Sequence, residues 1–157
     1  MKRILLLMGL SILIFSQSAN AQRKGLIFDD KAYQKVPLAD DEKLGYTDVL
    51  PASVSHKQYA PHVGNQGDYG TCVGWSTAYG ALTIEYAKKM GLTDKDKITF
   101  SAFCPFYIYN QFKEEYDFFC QSGGLFEDAL EIMYTKGAKR YYTPEYTCYS
   151  DYNNYSL

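Results

Sequence analysis

The residues best suited to chemistry stand together in the stretch Asn65-Gln66-Gly67-Asp68-Tyr69-Gly70-Thr71-Cys72-Val73-Gly74-Trp75-Ser76. Cys72 follows a glycine-rich turn and opens a long helical pattern. At such a position the first helical N–H groups have no partner within the helix, and the helix dipole presents its positive end. Both favour thiolate over thiol, and the thiolate is the nucleophile. The chemistry implied is attack on a carbonyl carbon. The Cys72 N–H and the side chain of Gln66 would donate to the oxyanion that forms. Gly70, Thr71 and Gly74 are small enough to admit a substrate backbone, and Trp75 reads as core or as a pocket wall. Taken singly, these residues have plainer explanations, a buried cysteine and a solvated turn glutamine above all. Their spacing carries the inference.

A helix must present Cys72. From Cys72 to Met90 apolar residues recur at helical spacing, with Ala78, Leu82 and Tyr86 in one row and Ala81, Ile84 and Ala87 broadening the buried face. Lys88 and Lys89 suit its last turn, and Gly91 suits the left-handed position after it. A second helix is expected from a Thr99 or Ser101 cap to about Lys113. Pro105 falls in its first turn, and Phe106, Tyr109 and Phe112 form its apolar stripe. A third helix follows Gly123-Gly124, with Glu127 and Asp128 in its first turn. Ala129, Ile132 and Met133 face inward, and Gly137 ends it. Pro51, Pro61, Gly64, Gly67 and Gly70 punctuate the approach to Cys72 as turns. Beyond Lys139 the chain is Tyr-rich and turn-like. The whole reads as mainly helical, with little strand signal.

Composition bounds the class. The 157 residues are 46% hydrophobic and 22% charged, which excludes a disordered or low-complexity chain and fits one domain. A formal charge of −2 argues for no nucleic-acid or anionic-membrane partner. No apolar run is long enough for an ordinary membrane span. Lys2-Arg3, the apolar run Ile4 to Phe15 and Ala19-Asn20-Ala21 together form a secretory signal peptide over residues 1–21, cleaved before Gln22. The mature protein is therefore expected in the periplasm or outside the cell. Residues 22–49 read as an extended or loosely ordered acidic leader, and 50–157 as the functional unit. All four cysteines lie in the exported part, where disulfides persist. Neither C-x-x-C nor H-x-x-x-H occurs, so no metal is expected, nor any other cofactor.

The segment around Cys72 resembles the active-site segment of papain-like cysteine peptidases, in which Gln-Gly, a short turn and Cys-Gly-Ser-Cys-Trp-Ala-Phe-Ser open a helix. Gln66-Gly67, Gly70, Cys72 and Ser76 fall in register with it. Leu50-Pro51-Ala52-Ser53-Val54 resembles the mature start of such enzymes, and Thr99-Phe100-Ser101 the opening of their second helix. Cys120-Gln121-Ser122-Gly123-Gly124 with Asp128-Ala129-Leu130 resembles their Cys-x-Gly-Gly turn and the helix after it. The resemblance implies an α+β papain-like fold of which this chain is the helical lobe. It implies Cys72 as nucleophile, Gln66 in the oxyanion hole, and Gly70, Thr71, Trp75, Gly123 and Gly124 along a cleft for a peptide or protein substrate. The departures point to a divergent bacterial branch. Val73 stands where the family has Trp, with Trp75 two places later. Tyr69 stands at the first Cys of the motif, and the Cys-x-Gly-Gly turn has one extra residue. With Cys72 a free thiol, Cys104, Cys120 and Cys148 allow three pairings. In the family the Cys of the Gly-Gly turn pairs with the position that Tyr69 fills here. On the resemblance the expected bridge is Cys120–Cys148, with Cys104 a buried free thiol.

The resemblance also implies a base that this chain does not supply. One His normally takes the thiol proton and later protonates the leaving amine. In the family it stands, with Asn, about 130–150 residues past the nucleophile. The two His here, His56 and His62, both precede Cys72 and read as surface or turn residues. The expectation is thus a fragment or split half whose C-terminal β-rich lobe is missing, with an apolar face left exposed. The alternative is a secreted, non-catalytic binding or scaffold module, for which the 16 Tyr would suit contact surfaces. A glycosidase is disfavoured, since Glu114-Glu115 and Asp40-Asp41 are adjacent carboxylates that point apart on a helix.

Overall fold

Asp29 and Asp94 start helices in the way short acidic side chains favour, by accepting backbone N–H groups that the first turn cannot satisfy. Asp29 accepts from Ala32 at 2.9 Å and opens α1, Asp30–Tyr33. The computed structural model describes residues 25–37, 51–142 and 147–149. The expected signal peptide and residues 38–49 of the leader lie outside them. The described part of the leader is not loose: it carries α1 and pairs through Leu26 with Gly124.

Helix α2 is continuous through three parts: α-helical over Cys72–Gly74, π-helical over Trp75–Leu82 and α-helical over Thr83–Lys89. Lys88 and Lys89 occupy its last turn and Gly91 follows at φ 64°, as the pattern predicts. The wide central ladder was not legible in the sequence, and hydroxyls support it. Val73 O accepts from Thr77 Oγ1 at 2.7 Å and Ser76 Oγ at 3.1 Å, and Ala78 O accepts from Thr83 Oγ1 at 3.1 Å. The π turns shift the helical phase. Thr77, Ala78, Tyr79, Thr83 and Ala87 are buried, whereas Ala81, expected on the buried face, is exposed.

The expected second helix is instead two helices. Asp94, not Thr99 or Ser101, caps α3 (Lys95–Phe100), its carboxylate accepting from the N–H groups of Asp96 and Lys97. Ser101 closes α3, and α4 spans Pro105–Tyr109. The break is steric and chemical. Proline has no N–H and forces the preceding Cys104 into extended backbone, ψ 117°, so no helix can run through it. Helix α5 spans Phe126–Thr135, with Glu127 and Asp128 in its first turn and Ala129 buried, and Gly137 follows at φ 76°.

The described residues are mainly helical. Their only β features are two isolated bridges, Leu26 parallel to Gly124 and Phe103 antiparallel to Arg140. Val73, Ala78, Ile108 and Ala129 form the central cluster, drawing together α2, α4 and α5. Gly74 lets α2 meet α4 closely, since a Cβ there would strike the Pro105 carbonyl. Arg140 lies between the rings of Tyr86 and Phe103, 4.1 and 4.2 Å from their centroids, and donates to the Ser101 carbonyl. That cation–π sandwich fastens the stretch after Gly137 to α2 and to the turn after α3. Val54, Val63 and Phe100 are exposed. Among the described residues no helix is long and apolar enough to cross a membrane.

Thr83 holds the packing at one atom: besides donating to Ala78 O, its fully buried Oγ1 accepts the Phe103 N–H at 3.1 Å. Thr83→Val keeps the shape and removes the hydroxyl from the Ala78 carbonyl and the half-buried Phe103 N–H. It is expected to cost about 1–3 kcal/mol in urea unfolding, with Thr83→Ser largely retaining stability.

Candidate active site

Two loops meet at the start of α2. In the first, Asn65 Oδ1 accepts the Gly67 N–H at 2.8 Å, and Gly67 takes φ 65°, which turns the chain sharply towards Cys72. The second loop runs from Cys120 to Gly124. Gly70 N–H donates to Cys120 O at 2.6 Å, and Gln121 Nε2 donates to Asp68 O at 2.8 Å. The loops are thereby stapled side by side.

Cys72 is a half-buried free thiol at the first position of α2. Thr71 precedes it as the cap residue, but its fully buried Oγ1 makes no hydrogen bond among the described residues. The half-buried Gln66 spans its own turn, donating one N–H of its amide to Tyr69 O. Gln66, Gly70, Thr71 and Cys72 thus belong to the first segment of this junction, and Gly123 and Gly124 to the second. Trp75 lies apart from this junction in an aromatic cluster, with ring centroids 4.9 Å from Tyr79 and 5.7 Å from Tyr141. A Cβ on Gly64 would collide with the Trp75 ring, so the indole forms a packed wall.

The described part of the leader lies across the junction. Ile27 N–H donates to Gly124 O at 3.0 Å, and Gly124 N–H donates to Gly25 O at 2.7 Å. Gly25 is buried between Gly70, whose carbonyl a Cβ on Gly25 would strike, and Gly123, whose own Cβ would stand 2.6 Å from Gly25 O. Leu26 and Cys72 both pack on the central apolar cluster. Past Ile27 the groove opens into a cavity of about 350 Å³ between Phe28, Tyr33, Phe126 and Glu127.

A buried pair holds the second loop. Tyr109 Oη donates to Asp117 Oδ2 at 2.6 Å and accepts the Gly123 N–H at 3.1 Å. Asp117 accepts the N–H of Gln121 at 2.7 Å and of Ser122 at 3.2 Å. Burial opposes the Asp117 carboxylate. The hydrogen bonds from Tyr109, Gln121 and Ser122, with the Lys113 ammonium, outweigh that cost and hold its carboxyl below the usual value. Burial and the bond to Asp117 push the Tyr109 phenol well above its usual range. Sequence reading placed Tyr109 in an apolar stripe and passed over Asp117. The only signal was a lone carboxylate among Tyr116, Phe118 and Phe119.

Cys120 and Cys148 form a disulfide across 28 positions, a closure that contributes about 3–4 kcal/mol. Cys104 is buried and free, its thiol pushed up by burial. Among the described residues neither His is a partner of Cys72. His62 Nε2 lies 2.9 Å from Asp96 Oδ1, and the His56 ring faces Tyr59. Among the described residues no cluster of three His, Cys, Asp or Glu is arranged to hold a metal. No known protein family, curated protein or solved structure matches the chain.

The depressed Asp117 carboxyl fixes a sign. Its stabilising contribution is complete above the unfolded carboxyl range, near pH 4, and is lost as pH falls through the lower folded value. Wild type should therefore exceed Asp117→Asn in Tm at pH 6, and the gap should narrow by pH 3.

Proposed function

We propose that this chain carries the nucleophile side of an exported papain-like cysteine peptidase, its helices being the helical lobe of that α+β fold. Cys72 Sγ attacks the carbonyl carbon of a peptide bond lying across Gly70. The C–N bond breaks, the amine leaves with a proton, and water then hydrolyses the thioester, returning the thiol. The Cys72 N–H and the second N–H of Gln66 are the donors for the oxyanion. The base belongs, in this reading, to a second lobe, as the family resemblance implies; His62 is paired with Asp96 instead of Cys72.

One observation supports the reading above all. The protein already holds an extended backbone on the Gly124 edge, and that backbone touches Gly70, two residues from the thiol. A surface that binds its own chain through main-chain N–H and C=O groups can bind a substrate chain in the same way. The pairing of His62 with Asp96, away from Cys72, favours a second reading, a secreted module that binds peptides without cleaving them.

Both readings require that Cys72 sit in a peptide-binding cleft, and alkylation kinetics test it. A peptidyl epoxide should modify Cys72 at least tenfold faster than the same epoxide without its peptide. Gly25→Ala, which drives the leader off Gly70, should raise the peptidyl rate by about tenfold further, roughly the worth of one to two backbone hydrogen bonds. Cys72→Ala should abolish labelling. Equal rates for the two reagents, or labelling of Cys104 instead, would remove the cleft. Turnover of a fluorogenic peptide, lost in Cys72→Ala, separates the peptidase from the binding module.

A further inference from the structure

We infer that Tyr109 and Asp117 are positioning residues for peptide binding, acting through the backbone of the loop that ends at Gly124. The inference rests on the reading of Gly124 as the peptide-binding edge. Three successive N–H groups lead into that edge, those of Gln121, Ser122 and Gly123, and this one buried pair accepts all three. Tyr109 is fully buried and Asp117 is nearly so. With those three amides turned inward, the next one is turned outward: Gly124 N–H and C=O both reach the extended chain laid on them. Only the last step, from Gly123 inward to Gly124 outward, has the reversal of a strand edge, and it occurs here without a sheet.

The loop needs such an anchor, because its backbone is not self-supporting. Gly123 takes φ 78°, and Cys120, which is not glycine, takes φ 51°. The disulfide ties the loop at Cys120 only, three residues short of Gly123. The Ser122–Gly123 peptide plane, next to the one that carries the Gly124 N–H, is held by Tyr109 Oη. That hydroxyl is itself aimed by the carboxylate of Asp117, 2.6 Å away. The packing of the Tyr109 ring against Phe112 does not require the hydroxyl. The hydroxyl is thus separable from the fold by a single-atom change.

Tyr109→Phe in the full chain is the test, read by amide hydrogen exchange together with the peptidyl preference of Cys72 alkylation. The expected result is exchange at least tenfold faster at Gly124 and Ile27, unchanged exchange in the Thr83–Lys89 part of α2, and a peptidyl preference that falls towards that of the bare epoxide. Asp117→Asn, which keeps the shape of the side chain, should loosen the same amides. It serves as the second variant should Tyr109→Phe fold poorly. Unchanged exchange at Gly124 and Ile27 in both variants would overturn the inference. So would a uniform acceleration that includes α2, since the pair would then act on the whole fold. If the wild-type chain shows no peptidyl preference, the functional reading fails, while the exchange pattern still decides the positioning role.

Discussion

The site depends on a close approach of backbones. Gly25, Gly70 and Gly123 come together so tightly that neither Gly25 nor Gly123 could carry a Cβ without meeting main-chain atoms. Three chain segments distant in sequence thereby meet with no side chain between them: the leader, the turn before Cys72 and the loop before Gly124. What meets in such a junction is peptide groups. A surface of peptide groups beside a thiol at a helix start is suited to holding an extended chain and presenting its carbonyl. The functional reading follows from this geometry more than from any one side chain.

Close approach costs conformational freedom, and the surroundings make up for it in layers. Asn65 fixes the first turn. The Gly70–Cys120 and Gln121–Asp68 hydrogen bonds staple the two loops. The disulfide and the Tyr109–Asp117 pair hold the second loop from beneath. Helix α2 presents Cys72 from a frame secured at Gly74 by α4 and at Thr83 by the Phe103 turn. Its π segment is supported in the same way: the hydroxyls of Ser76 and Thr77 donate to the Val73 carbonyl and that of Thr83 to the Ala78 carbonyl.

Much of this was legible in the sequence where local chemistry decides. The start of α2 at Cys72, its end before Gly91, and α5 between Gly124 and Gly137 follow from periodicity and glycine placement. The sequence erred where a tertiary or single-residue effect overrides periodicity. Pro105 divides one apolar stripe into two helices, and Asp94 outcompetes Thr99 as a cap because its carboxylate reaches two N–H groups at once. The π phase shift put Ala81 on the wrong face. The docking of the leader was not legible for a different reason. Its seat is made by glycines in two remote loops, and no pattern within residues 22–49 encodes a partner that far away. Asp117 escaped notice because its role is read from the three amides and the phenol around it, not from its neighbours in sequence.

The central claim is that the edge at Gly124, beside Cys72, is a peptide-binding cleft which the leader now fills. A crystal structure of the chain after reaction with a peptidyl epoxide tests it most directly. The account predicts a thioether at Cys72 Sγ, the reagent's backbone hydrogen-bonded to the N–H and C=O of Gly124, and Gly25–Ile27 displaced from their seat. A leader still paired with Gly124, with the reagent attached elsewhere or bound away from the edge, would contradict it.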